Sequence, residues 1–284
     1  MKPFLIASLA VVTLSAAVIE HLHAQGGGTS QTVNGGVAFI NPGIPTLPES
    51  EANARPVPRL PDGTVDLTGP WVGGGTVADI ERDGGLKPGE LPLLPWAGKL
   101  RDARRSQDDP YTACLPMSVL RTNPYPWKLS MSYTAKGLSH IYILHELGDA
   151  GGHRVVYMDG RPHPVDPVPT WVGHSVGRWD GDTLVIDAVG FNDSFWFDRR
   201  GTPHTERLHI IERYTRVNYG TLVNEVTLED PGALSRPVNL RFTARLLRPD
   251  ARTGAGDLLE FICNEDNQYG SAGAFRPGTG AGVK

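Results

Sequence analysis

From Trp127 to Asn264 the chain carries short segments of alternating character, and that period of two is what most limits its fold. Trp127, Leu129, Met131 and Tyr133 alternate with Lys128, Ser130, Ser132 and Thr134, and the pattern returns at 138–147, 153–159, 183–191, 207–217, 221–230, 238–247 and 258–264. Successive side chains of a strand point to opposite faces, so each segment reads as a half-buried strand. Between them stand Ala135-Lys136-Gly137, the glycine-rich 148–152, Asp159-Gly160, Asp180-Gly181 and Asn218-Tyr219-Gly220, residue types that tolerate the positive φ of tight turns. Many short strands at even spacing predict a mainly β protein, an antiparallel meander that closes as a barrel or sandwich.

Several of these strands lack a purely apolar face. His140, Tyr142, Leu144 and Glu146 share one side, as do Leu208, Ile210, Glu212 and Tyr214, while His209, Ile211 and Arg213 occupy the side opposite. Ionisable groups on an otherwise apolar face predict a barrel whose interior holds a ligand or water as well as aliphatic packing.

The amino terminus sets the compartment. Lys2, an apolar run from Phe4 to Ile19, and Ala24 before Gln25 have the layout of a secretory signal peptide spanning 1–24. No later segment approaches the ~18 apolar residues of a membrane helix, so no span is expected after cleavage. Residues 25–60 are rich in Gly, Pro and Ser and read as a flexible leader with an extended arm; 61–270 form a single β domain and 271–284 a flexible tail. Within the domain, WAGKLRDARR at 96–105 predicts a short helix from its good helix formers. An exported chain with two cysteines, Cys114 and Cys263, predicts one disulfide between them. A formal charge of −4 excludes a nucleic-acid footprint, and the basic cluster Arg101, Arg104 and Arg105 is diluted by Asp102, Asp108 and Asp109.

One motif invites a specific chemistry. Residues 173–177 read GHSVG, a match to the G-x-S-x-G nucleophile elbow of α/β-hydrolases. An elbow needs a helix directly after its serine, whereas Ser175 is followed by Asp180-Gly181 between apolar-patterned runs, a hairpin signal. The chain also lacks repeated β-helix-β units. Ser175 is therefore read as a strand residue, and the trio Ser175, Asp187 and His204 as a coincidence of order.

Two resemblances follow from longer stretches. Gly69-Pro70-Trp71, in PDGTVDLTGPWVGGG, is similar to the G-x-W strand of lipocalins and other calycins. The resemblance implies a calycin-like antiparallel barrel whose Trp closes the bottom and packs against an arginine near the carboxyl end, for which Arg245 is the nearest candidate. The stretches DGRPHP, GHSVGRWDGDTLVID, GFND, GTPHTERLHIIERYTR and EFICNEDN resemble a broad family of uncharacterised exported bacterial proteins, over residues 59 to 269. That likeness implies fold and compartment and carries no reaction.

Candidate chemistry rests on histidine. His163 in DGRPHP and His204 in GTPHTE sit in loops beside strands, with Glu146 and Glu206 as possible carboxylate partners. Such a pair moves protons near neutral pH, as elimination, isomerisation or hydrolysis requires. Arg213, if turned inward, would anchor a substrate carboxylate. Tyr142, Trp179, Phe195 and Trp196 suit a small ring-bearing ligand, with the FNDSFWFD loop as its cover. No cofactor motif is present, and no metal is expected: His140 and His145 fall on opposite faces, although His153, His163, His174 and His204 could meet from separate loops. The readings that remain are an acid–base enzyme acting on a small molecule, a noncatalytic carrier of the same fold, and a purely structural envelope protein.

Overall fold

The computed structural model of the chain describes residues 29–33, 36–40, 44–147, 153–250, 252, 256–261 and 263. The expected signal segment 1–24, the tail 271–284 and the glycine-rich turn 148–152 lie outside them. Elements follow in chain order: β1 (Thr29–Val33), β2 (Gly36–Ile40), α1 (Glu49–Ala54), β3 (Gly69–Gly73), α2 (Ile80–Asp83), α3 (Pro95–Ala103), β4 (Trp127–Thr134), β5 (Gly137–His145), β6 (His153–Tyr157), β7 (His174–Asp180), β8 (Thr183–Val189), β9 (His209–Asn218), β10 (Thr221–Glu229) and β11 (Val238–Leu246).

Strands β3 to β11 pair in sequence order, and β11 returns to β3, so the protein is a closed nine-stranded β-barrel. The closing seam matches Ala244 with Gly73, Arg245 with Val72 and Leu246 with Trp71. Closure removes the exposed edges that an open sheet of this size would present. The β1–β2 hairpin attaches outside, through Val37 and Phe242. The expected turns at Ala135-Lys136-Gly137, Asp180-Gly181 and Asn218-Tyr219-Gly220 join neighbouring antiparallel strands. Gly181 supplies φ of +60° there, which a residue with a Cβ adopts only at a cost.

One pair departs from the meander. β6 and β7 run parallel, with Val156 opposite Ser175 and Tyr157 opposite Val176. Parallel neighbours cannot be joined by a tight turn, so 158–173 crosses from one end of the barrel to the other. Asp159-Gly160 therefore opens a crossover where its turn chemistry alone suggests a hairpin. The run at 258–264 also differs from expectation, because residues 258–261 form no strand.

Buried residues build two apolar clusters, the first from inward strand positions and the second joining strand residues to side chains from α2 and the loops. One gathers Trp71, Trp127, Leu129, Ile141, Ile143, Val156, Leu184, Ile186 and Tyr214; the other gathers Ile80, Leu120, Phe191, Phe195, Leu208, Ile210, Val226, Leu240 and Phe242. Trp71 is fully buried, and its indole N–H donates to the Leu67 carbonyl at 2.9 Å. The arginine over its ring is Arg216, 4.9 Å away, not Arg245. Arg245 donates instead to the Leu47 carbonyl at 3.3 Å.

Leu47 marks where the amino-terminal arm lands. Residues 44–60, read from sequence as part of the leader, lie along the barrel: Leu47 and Ala52 are buried, Leu47 N–H donates to Leu246 at 2.9 Å, and Tyr219 N–H donates to Ala52 at 3.3 Å. The Cys114–Cys263 disulfide is formed. No helix among the described residues is long and apolar enough to cross a membrane.

Candidate functional site

Ser175 lies within β7, and the strand continues to Asp180, so no helix follows the serine. Its side chain faces the barrel interior, fully buried, where its hydroxyl accepts from Arg154 Nε at 2.8 Å. Arg154 also donates to Glu212, whose other carboxylate oxygen accepts from the Tyr214 hydroxyl at 2.8 Å. Asn123 donates to that hydroxyl at 3.2 Å, and His145 Nε2 lies 2.9 Å from Asn123 Oδ1. Burial and the Arg154 charge hold His145 near a pKa of about 3, so it is neutral at any ordinary pH. Both Glu212 oxygens accept hydrogen bonds, although Arg154 Nη2 is buried without a partner, and a buried pair of this kind costs about 3–5 kcal/mol when one member is removed. This belt fastens β6, β7 and β9 across the interior, and Ser175 is one of its acceptors, not a nucleophile.

The opposite phase of the same strands builds a different cluster. On β7, β8 and β9 the residues flanking the inward Ser175, Ile186 and Ile210 include His174, Asp187 and His209, and these turn outward. His163 reaches them from the crossover. Its Nε2 is 3.0 Å from Asp187 Oδ1, and its Nδ1 is 2.9 Å from Nδ1 of His174. His209 Nε2 approaches the same Asp187 oxygen at 2.8 Å, and its Nδ1 meets Glu229 Oε2 at 3.0 Å. Five side chains thus form one hydrogen-bonded line, His174–His163–Asp187–His209–Glu229.

The electrostatics of that line are graded. Asp187 is held below the ordinary carboxylate value, first by the hydrogen bond from His209 and also by that from His163, against an opposing effect of burial. His209 is raised, chiefly by its bond to Asp187. His174 is lowered by burial, by His163 and by Arg161. The carboxylate therefore stays ionised, His209 tends to the cation, and His174 stays neutral at pH 7. His174 lines a groove of about 370 Å³ with His153, Val155 and Tyr157 from β6, Pro164, Pro167, Val168 and Thr170 from the crossover, and Val172 and Gly173. The Tyr157 and His174 rings stack at 5.1 Å, and the Arg161 guanidinium lies 4.1 Å over Tyr157.

Of the candidate acid–base residues, His163 alone bonds to a carboxylate, Asp187, and it reaches the groove only through His174, which lines it. His204 is buried: it stacks on Phe195 at 3.7 Å, its Nε2 lies 3.1 Å from the Phe195 carbonyl, and burial lowers its pKa to about 4. Glu206 is exposed in the turn before β9, and Glu146 accepts from Leu259 N–H at 2.8 Å; among the described residues neither carboxylate bonds to His163 or His204. Arg213 faces outward and pairs with Asp180 at 2.7 Å; the inward arginine is Arg154. Tyr142 stacks beside His140 on the outer wall at 6.0 Å, and Trp179 packs on the inner cluster. Phe195, Trp196 and Phe197 are 1%, 4% and 3% exposed, so this loop is core and not a cover.

Asp187, His209 and Glu229 are the partners that residue-type reasoning passed over. Counting from the turn finds part of the set: Asp180 pairs with Thr183, hence Val176 with Asp187 and His174 with Val189, which leaves His174 and Asp187 diagonal on one face. Among the described residues no group of three or more His, Cys, Asp or Glu is arranged to hold a metal ion. Compared with protein-family models, curated proteins and solved structures, the chain matches none.

Proposed function

We propose that this barrel is an exported acid–base enzyme acting on a small ring-bearing organic molecule bound in the outer groove beside His174. The signal-like amino terminus and the disulfide support export, and the motif likeness to exported bacterial proteins belongs to the same reading. The observation that carries the chemistry is the placement of His163 between Asp187 and His174. With Asp187 ionised, His163 donates from Nε2, which leaves its Nδ1 as acceptor for His174 Nδ1–H. His174 Nε2 then carries a lone pair. A proton taken there from a substrate C–H or O–H lets the shared proton shift to His163, so that the cation rests beside the Asp187 carboxylate. Returning the proton to another carbon completes an isomerisation, and giving it to a departing group as the C–X bond breaks completes an elimination; in hydrolysis His174 takes the proton from the attacking water and passes it to the leaving alcohol. The valine and proline walls fit an apolar ring.

The test is proton transfer to defined probes. In D2O, the protein is incubated with a panel of ring-bearing enolisable carbonyl compounds, and in parallel with p-nitrophenyl esters; wash-in of deuterium or ester cleavage is expected. His174→Ala should lower the rate by about 10²–10⁴-fold and Asp187→Asn by a smaller factor. Wild-type rates in His174→Ala would overturn the reading. Binding of the probes without turnover, unaffected by His174→Gln, would assign the groove to a carrier.

A further inference from the structure

The crossover 158–173 is tied to the barrel in an unusual way. Of residues 161–170 only His163 and Pro167 are not exposed; Val165 and Val168 are 105% and 81% accessible. Met158 N–H donates to Ser139 at one end, and Thr170 N–H donates to Gly190 at the other. Between those points, among the described residues, the hydrogen bonds to the barrel are those of His163 alone. Pro167 adds contact against Gly190, where there is no room for a Cβ. Asp159 and Arg161 bond to each other, with Arg161 lying over Tyr157. Pro164, Pro167, Val168 and Thr170 of this segment form one wall of the groove.

The His163 anchor counts protons. Two neutral imidazoles carry two N–H protons: one lies on His163 Nε2 and is given to Asp187, and the other lies between the two Nδ1 atoms. A third proton fits on His174 Nε2, giving the pair one positive charge and leaving both contacts intact. A fourth must enter the 2.9 Å space between two nitrogens that already share one. It would set N–H against N–H and cation against cation, so the contact opens. We infer that the His163–His174 pair is a latch that holds the crossover over the groove and releases it when both rings are charged.

The latch is regulation of the groove proposed above and rests on that reading for its purpose; its existence rests on the geometry alone. The groups that face the pair are Asp187 on β8, His209 on β9 behind it with Glu229 on β10, Tyr157 and His153 on β6, and Arg161 of the crossover itself. Burial, His163 and Arg161 all oppose charge on His174, and its lowered value places release on the acid side of the ordinary imidazole range.

A nitroxide on Val165→Cys, with a control label on the barrel at Val217→Cys, reads the release without any substrate. In the otherwise native chain with its disulfide intact, the Val165 label should tumble about threefold or more faster at pH 5 than at pH 7.5, on the nanosecond scale of loop motion. The control label should not change. His163→Gln, which cannot titrate, should abolish the pH response, and His163→Ala should leave the label mobile at both values. His209→Gln should leave the response in place. Equal mobility at both pH values in the native background, persistence of the response in His163→Gln, or its loss in His209→Gln would each overturn the latch. Because the readout holds no substrate, an inactive protein can still show it, and an active one can lack it.

Discussion

His174 and Ser175 are neighbours in the chain and end on opposite sides of the barrel wall, one beside a groove and one in a buried belt. The same alternation separates Asp187 from Ile186 and His209 from Ile210. At this scale the acid response of stability follows from the two histidines buried in neutral form, His145 at about 3 and His204 at about 4. Both values are depressed below that of the unfolded chain, so below ~6.5 the unfolded state binds protons that the folded state refuses, and each histidine costs about 1.4 kcal/mol per pH unit until its folded value is reached. His209 works in the other sense: its raised value contributes in acid and is lost as pH rises through it. Urea unfolding at pH 7.5, 6 and 4.5 should show a steep net fall, and His204→Gln should flatten it by about 1.4 kcal/mol per unit between pH 6 and 4.5. An unchanged slope in that variant would remove His204 from the account. In the sequence, the rejection of Ser175 as a nucleophile was legible because Asp-Gly chemistry is local. His163 was legible as a loop histidine, but its partner was not. Among the described residues Glu146 and Glu206 form no bond to His163 or His204, whereas Asp187 is brought to His163 by strand register.

The segments that alternate most strongly became strands at nearly the expected limits, and 96–105 became α3 at Pro95–Ala103. Alternation reports which side a residue faces and says nothing about the direction of the neighbouring strand. For that reason the parallel β6–β7 pair was invisible in it. The aromatic loop was misjudged for a related cause: three consecutive large rings outside any periodic run look like a surface feature, yet the loop folds inward. Asp198 pins it by accepting from Ile80 N–H at 2.7 Å and Thr202 N–H at 3.1 Å, and burial raises that carboxyl. Phe195 stands edge-on to Phe191 and Phe197 at 6.0 and 5.7 Å and face-on to His204. Phe195→Ala should therefore cost about 3–5 kcal/mol in denaturant unfolding, the loss typical of a large ring deleted from a packed core. A cost below about 1 kcal/mol would return this loop to the surface.

At the scale of the molecule, the barrel was foreseeable from strand spacing, and the Cys114–Cys263 bond from the presence of two cysteines behind a signal-like amino terminus. The bond spans 149 residues of chain. On the chain-entropy account a loop of that length contributes about 5 kcal/mol, so reducing agent should lower the urea midpoint substantially; an unmoved midpoint would mean that the reduced chain keeps its ends together by other contacts. The seam between β3 and β11 has a consequence in time. A chain emerging amino terminus first can zip β4 to β5 and β8 to β10 as each hairpin appears, but β3 must wait for Leu246 before it gains its second neighbour. Until then Trp71 and Trp127 sit on an unrolled sheet with two bare edges. Contacts so distant in sequence form slowly, and the half-made barrel is the form of this protein most prone to stick to its own copies.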